Sequence, residues 1–113
     1  MTALVKYPFN YKNENYITEI LSKNKVLAFP TETVYGLGGN AFSKEVADRI
    51  YLIKQRPKNK PFPILITLKW IKKLCLWNDL RIDSLIEAFW PGPLTLILKI
   101  NPDLPNHLKN KSG

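Results

Sequence analysis

Histidine and cysteine are among the residues this chain has least of, and arginine is scarce beside lysine. Among its 113 residues there is one histidine, His107, and one cysteine, Cys75. A single thiol excludes an internal disulfide framework and fits a reducing compartment, so a cytoplasmic location is expected. A single imidazole in a polar tail leaves no zinc site and no Ser-His-Asp triad to build. Long apolar runs are missing too. The best, "FPILITL" at 62–68, falls far short of the ~18 residues that a membrane span needs. The opening "MTALVKYPFNYK" has no apolar h-region, so neither a secretory signal nor a membrane partner is expected.

Lysine, by contrast, is abundant. The chain carries 17 basic against 9 acidic residues, a formal net charge of +8. Such a balance points to a polyanionic partner, RNA or a nucleotide. Only 3 of the 17 are arginine, however, and the lysines come with many Asn and Ile, the mixture an A/T-rich genome also writes. Charge alone therefore leaves RNA contact and coding bias side by side.

At this length the chain is one domain or part of one. Apolar spacing predicts a helix over 13–24, a short buried strand over 25–30 closed by Pro30, and a glycine-rich loop over 31–42. Ser43 is a good N-cap for a helix "KEVADRIYLIK", with Val46, Ala47, Ile50 and Ile53 as its apolar stripe. Pro57 ends that helix and pushes Arg56 out of the α region. A second strand is expected at 62–67, helices at 68–77 and 82–90, a sharp "PGP" turn at 91–93 and a third strand at 94–100. Strands separated by helices indicate an α/β domain with some parallel pairing. The polar text from Asn101 onward, with its two prolines, is expected to be a disordered tail over 101–113.

Two motifs raise the question of chemistry. "GLGGNA" at 36–41 matches G-x-G-x-x-A ahead of a helix. A dinucleotide site needs those glycines directly after a strand and an acidic residue ~20 positions on. Here "TETVYG" intervenes and the text near 56–60 is Arg-Pro-Lys-Asn-Lys, which argues against that fold. "KQRPKNK" sets Lys54 at a helix C-terminus and Arg56 just beyond, beside the negative end of the helix dipole. Simple capping explains this as well as anion binding does. Pro57 favours the latter, because a held guanidinium can clamp a carboxylate or phosphate with two hydrogen bonds.

Taken together, "FPTETVYGLG", then "KQRP" about twenty residues on, then "FWPGPLTLIL", resembles the YrdC-type threonylcarbamoyl-AMP synthase family over residues 15–100. The resemblance implies an open, twisted α/β sheet with flanking helices around a positively charged cavity. It implies an activity that joins L-threonine, bicarbonate and ATP into L-threonylcarbamoyladenylate, for the modification of adenosine 37 in tRNA. Thr33 matches the position that contacts L-threonine, and Lys54 and Arg56 match the family's K-x-R pair. Arg56 falls at an ATP-contacting position and Lys54 at the accompanying catalytic lysine. Lys60 stands near the nucleotide, where many members have Asn. Tyr35, Gly36 and Gly38 would shape the cavity wall, the glycines by allowing backbone conformations and close approach. Thr31 is read as a plain turn residue, and Trp90 and Leu94 as core. Magnesium would come with ATP, and no carboxylate cluster marks a protein-built metal site.

The family's S-x-N motif has no match after Ile100. The expectation is an N-terminal part of the domain over 1–100, with the sheet incomplete on its C-terminal side and the chain inactive by itself. The alternatives are a non-catalytic module for tRNA or double-stranded RNA, and a decayed gene product.

Overall fold

The computed structural model describes residues 14–110. Helices and small sheets alternate in an α/β arrangement, and the chain divides into two compact units between Arg56 and Pro57.

The first unit begins with α1, Glu14–Ser22, followed by β1, Leu27–Phe29, β2, Gly36–Gly38, and α2, Lys44–Lys54. Asn24 turns the chain out of α1 in the left-handed region, at φ 53°. Its N–H donates to Leu21 O and that of Lys25 to Ile20 O, the two bonds of a Schellman ending. β1 and β2 pair antiparallel, with Leu27 opposite Gly38, Ala28 opposite Leu37 and Phe29 opposite Gly36. The segment expected to be all loop thus contains a strand. Gly36-Leu37-Gly38 earns its place through a cross-strand aromatic partner rather than through its own propensity. Phe29 covers the face that both glycines leave bare, and a Cβ at Gly36 would stand 3.1 Å from its ring, one at Gly38 2.8 Å.

Ser43 caps α2 as its residue type predicts, its side chain accepting from Val46 N. Val46 and Ile50, one turn apart, are the buried residues of α2, while Ile53 is exposed and leaves the expected stripe. Gly39 brings the end of the hairpin onto this helix. A Cβ there would stand 2.4 Å from Val46 Cγ1 and 3.0 Å from Lys25 O. Arg49 Nη1 donates to Asn24 O at 3.4 Å and Asn40 Nδ2 to Asn24 Oδ1 at 3.3 Å, tying the turn after α1 to the elements that follow it.

The second unit contains α3, Leu68–Leu74, β3, Cys75–Leu76, α4, Leu80–Phe89, β4, Lys99–Ile100, and a 3-10 helix at Asn106–Leu108. Ile71 and Leu74 form its buried core. The helix expected over 68–77 stops at Leu74, because Cys75 and Leu76 pair antiparallel with Ile100 and Lys99. Both strand pairs among the described residues are antiparallel, so the expected parallel pairing is not formed there. Residues 62–67 form no strand. An apolar run becomes a strand only where its N–H and C=O groups find a ladder, and Pro63 has no N–H to offer. Most of 94–100 is likewise unladdered, yet Leu94, Leu96, Leu98 and Ile100 are half-buried while Thr95, Ile97 and Lys99 are exposed, the period-two alternation of a strand.

Residues 101–110, where a disordered tail is expected, carry a turn and the 3-10 helix, and they are fastened to α3. Asn101 N donates to Leu74 O at 2.8 Å and Asn101 Nδ2 to Lys73 O at 3.3 Å, satisfying two carbonyls that the end of α3 leaves open. Residues 111–113 lie outside the described residues. The "WPGPL" stretch closes on itself through Trp90 Nε1, which donates to Leu94 O at 2.7 Å around a cis Trp90-Pro91 bond.

Candidate substrate-binding site

Six residues, 30–35, connect β1 to β2, and their shape is set by one hydroxyl. Thr31 Oγ1 donates to Val34 O in a short bond and accepts from Thr33 N at 3.3 Å. It also lies 3.4 Å from Thr33 Oγ1. A threonine side chain two residues back thus replaces the backbone bond that would otherwise close the turn. Thr33 is exposed at this tip, and Tyr35, expected along a wall, is 68% exposed. Gly36 and Gly38 serve the site indirectly. They seat Phe29 and so hold the strand from which the tip projects.

The second group of candidates stands at the far end of α2. Gln55 takes the left-handed region at φ 50°, its N–H donating to Leu52 O and that of Arg56 to Tyr51 O. This is a Schellman ending, and with it Gln55, ahead of Pro57, turns the chain out of the helix. Lys54 is the last helical residue and Arg56 the first beyond the reversal, so the pair flanks the open carbonyls of α2. Arg56 is half-buried and Lys54 exposed. From Val46, beside the hairpin, to Lys54 is eight residues of helix, about 12 Å of rise. Lys60 belongs to the second unit, in a turn where its N–H donates to Pro57 O at 3.0 Å. Among the described residues no three His, Cys, Asp or Glu side chains converge as a metal site would require.

The structure therefore gathers Thr31 with Thr33, and Lys54 with Arg56, each around a defined backbone reversal. Thr31 is the residue that a reading by type undervalued. The signal was present in the Thr-x-Thr spacing of "PTETVYG", which lets one hydroxyl reach the next threonine's amide.

The family model for Sua5/YciO/YrdC proteins, described as "telomere recombination", matches residues 19–113. The chain belongs to this family. Threonylcarbamoyl-AMP synthase of Bacillus subtilis strain 168 is 42% identical over 74% of the chain and 25% of its own length. A putative threonylcarbamoyl-AMP synthase of Methanocaldococcus jannaschii is 36% identical over 88% of the chain and 50% of its own. The crystal structure of Pyrococcus abyssi Sua5 complexed with L-threonine superposes with a TM-score of 0.79 at 32% identity, over 90% of this chain and 30% of that one. The chain thus spans between a quarter and a half of the length of these curated relatives. No helix among the described residues is long and apolar enough to cross a membrane.

Proposed function

We propose that this member of the Sua5/YciO/YrdC family contributes the L-threonine- and ATP-gathering part of a threonylcarbamoyl-AMP synthase site, serving tRNA modification. The observation that carries the reading is the pairing of Lys54 and Arg56 on a fixed helix end in the same unit as the threonine-rich hairpin tip. In that reaction the amine of L-threonine takes up bicarbonate to give a carbamate, with loss of water. A carbamate oxygen then attacks the α-phosphorus of ATP, and the bond to the β-phosphate oxygen breaks to release pyrophosphate. Carbamate and triphosphate bring several negative charges into one small volume, and preorganised cations stabilise them as charge moves. In this reading Arg56 holds phosphate through its planar fork and Lys54 supplies a point charge. Thr33 meets L-threonine. Magnesium comes with the nucleotide and is held mainly by its phosphates.

The test is pyrophosphate release from ATP, dependent on L-threonine and bicarbonate, against a Lys54→Ala control. Release above the control assigns the whole reaction to this chain. Saturable binding of L-threonine and ATP without release makes it the binding part alone. Absence of binding to either ligand overturns the reading.

A second reading, RNA binding without catalysis, is favoured by α3. Lys69, Lys72 and Lys73 fall at i, i+3 and i+4 on this helix, opposite the buried Ile71 and Leu74, and none is ion-paired among the described residues. Lys73 Nζ lies 5.0 Å from the centre of the Trp70 ring. Affinity for tRNA that falls steeply with salt, and less steeply once the three lysines are replaced, supports this reading; a flat dependence opposes it.

A further inference from the structure

The hydroxyl chemistry of the hairpin tip decides what Thr33 can recognise. A threonine side chain has one proton to donate and two lone pairs to accept with. Thr31 spends its proton on Val34 O. Toward its neighbour, 3.4 Å away, Thr31 Oγ1 can therefore only accept, and any hydrogen bond between the two hydroxyls has Thr33 as donor. The Thr33 amide converges on the same oxygen at 3.3 Å, so backbone and side chain are drawn to one acceptor. A Thr33 proton turned toward that oxygen leaves only lone pairs facing outward.

From this we infer that Thr31 is a positioning residue. It sets the polarity of Thr33, so that the tip accepts a hydrogen bond from its ligand and offers none. The inference rests on the proposed L-threonine site and deepens it. Thr33 meets a donor of the amino acid, its α-ammonium or its hydroxyl, and not its carboxylate. Thr31 itself touches no ligand in this account. Its effect passes through Thr33.

The experiment uses the full chain, labelled for NMR, with L-threonine titrated into the wild type and into Thr31→Val, Thr31→Ser, Thr33→Val and the Thr31→Val/Thr33→Val double variant. The amide spectrum verifies that each variant folds. Thr31→Val is expected to weaken L-threonine by about fivefold to tenfold, roughly the worth of one net hydrogen bond. Thr31→Ser, which keeps the hydroxyl, restores affinity to within about twofold on the same scale. The double variant should bind no more weakly than Thr33→Val, because the two losses share one path. Wild-type affinity in Thr31→Val, failure of Thr31→Ser to restore binding, or fully additive losses each overturn the inference. L-2-aminobutyrate, which lacks the hydroxyl, separates the two donors. A Thr33→Val penalty that persists with it assigns the ammonium, and one that disappears assigns the hydroxyl. If the wild type binds no L-threonine, the functional reading fails on its own. The Thr33 amide then decides the contact: exchange at least about tenfold faster in Thr31→Val supports it, and unchanged exchange overturns it.

Discussion

In the first unit, hairpin and helix meet where Gly39 leaves room for Val46, whereas in the second Asn101 reaches two open carbonyls of α3, Lys73 O through its side chain and Leu74 O through its backbone N–H. The two joints respond to different insults. A close apolar approach tolerates no added atom, since the neighbouring methyl and the Lys25 carbonyl have nowhere to go. A polar clamp tolerates added bulk but not the loss of a donor. The contrast is one of joints and not of whole units, since the first unit has polar ties of its own from Arg49 and Asn40 to Asn24. Phe29 lies on Gly36 and Gly38 in the first, while Trp90 closes on Leu94 O, Trp77 reaches Asp83, and Asp79 caps α4 in the second.

The strongest way to break the comparison is Gly39→Val. It should destabilise the first unit by about 2–3 kcal/mol through overpacking, seen as a lower urea midpoint. Val46→Ala in the same chain should return part of that loss by opening the space. Asn101→Ala should cost about 1 kcal/mol, the net worth of its lost side-chain hydrogen bonds, and should speed proteolysis within 101–110 while leaving amides of the hairpin protected. A uniform loss of protection across both units would refute the division. Gln55→Gly should stabilise by roughly 0.5 kcal/mol, since glycine occupies the left-handed region without a Cβ penalty and gives back part of the gain in the unfolded chain. A fall in stability there would mean that the Gln55 side chain matters more than its backbone.

The smallest effect is one of pH. The Arg81 guanidinium, forked onto Asp79, together with the Arg81 backbone amide, holds the Asp79 carboxyl down at about 2, from an ordinary value of 3.8. A carboxyl lowered by folding contributes its stability fully above pH ~4 and loses it as pH falls toward 2. Helicity of α4 should therefore weaken across that window, and Asp79→Asn should flatten the change. Because both side chains are solvated, added salt should shrink it further. Cys75 offers a control with no such dependence at low pH. Burial pushes its thiol up, so it should react slowly with thiol reagents at neutral pH.

Much of the first unit is legible from residue types alone. Ser43 before an amphipathic run announces α2, and Pro57 announces its end. Less legible is what depends on a distant partner. Gly36-Leu37-Gly38 reads as loop because glycine has little strand propensity, and only the ring of Phe29 across the ladder makes it a strand. The apolar text at 62–67 and 94–98 reads as strand because its pattern is right, yet no ladder forms there among the described residues. The tail misleads for the opposite reason. Its polarity suggests disorder, but one asparagine finds two helix carbonyls.

For the candidate site the division runs the same way. The amino-acid order alone determined the family blocks, the K-x-R pair behind α2 and the Thr-x-Thr spacing ahead of β2, because these are matters of local spacing that any backbone preserves. Tertiary structure alone decided that Gln55 turns the chain between Lys54 and Arg56, that the glycines exist to seat a phenylalanine, and that Thr31 spends its proton on Val34. Each of those depends on where a backbone carbonyl or an aromatic ring comes to rest, and a carbonyl has no letter in the sequence.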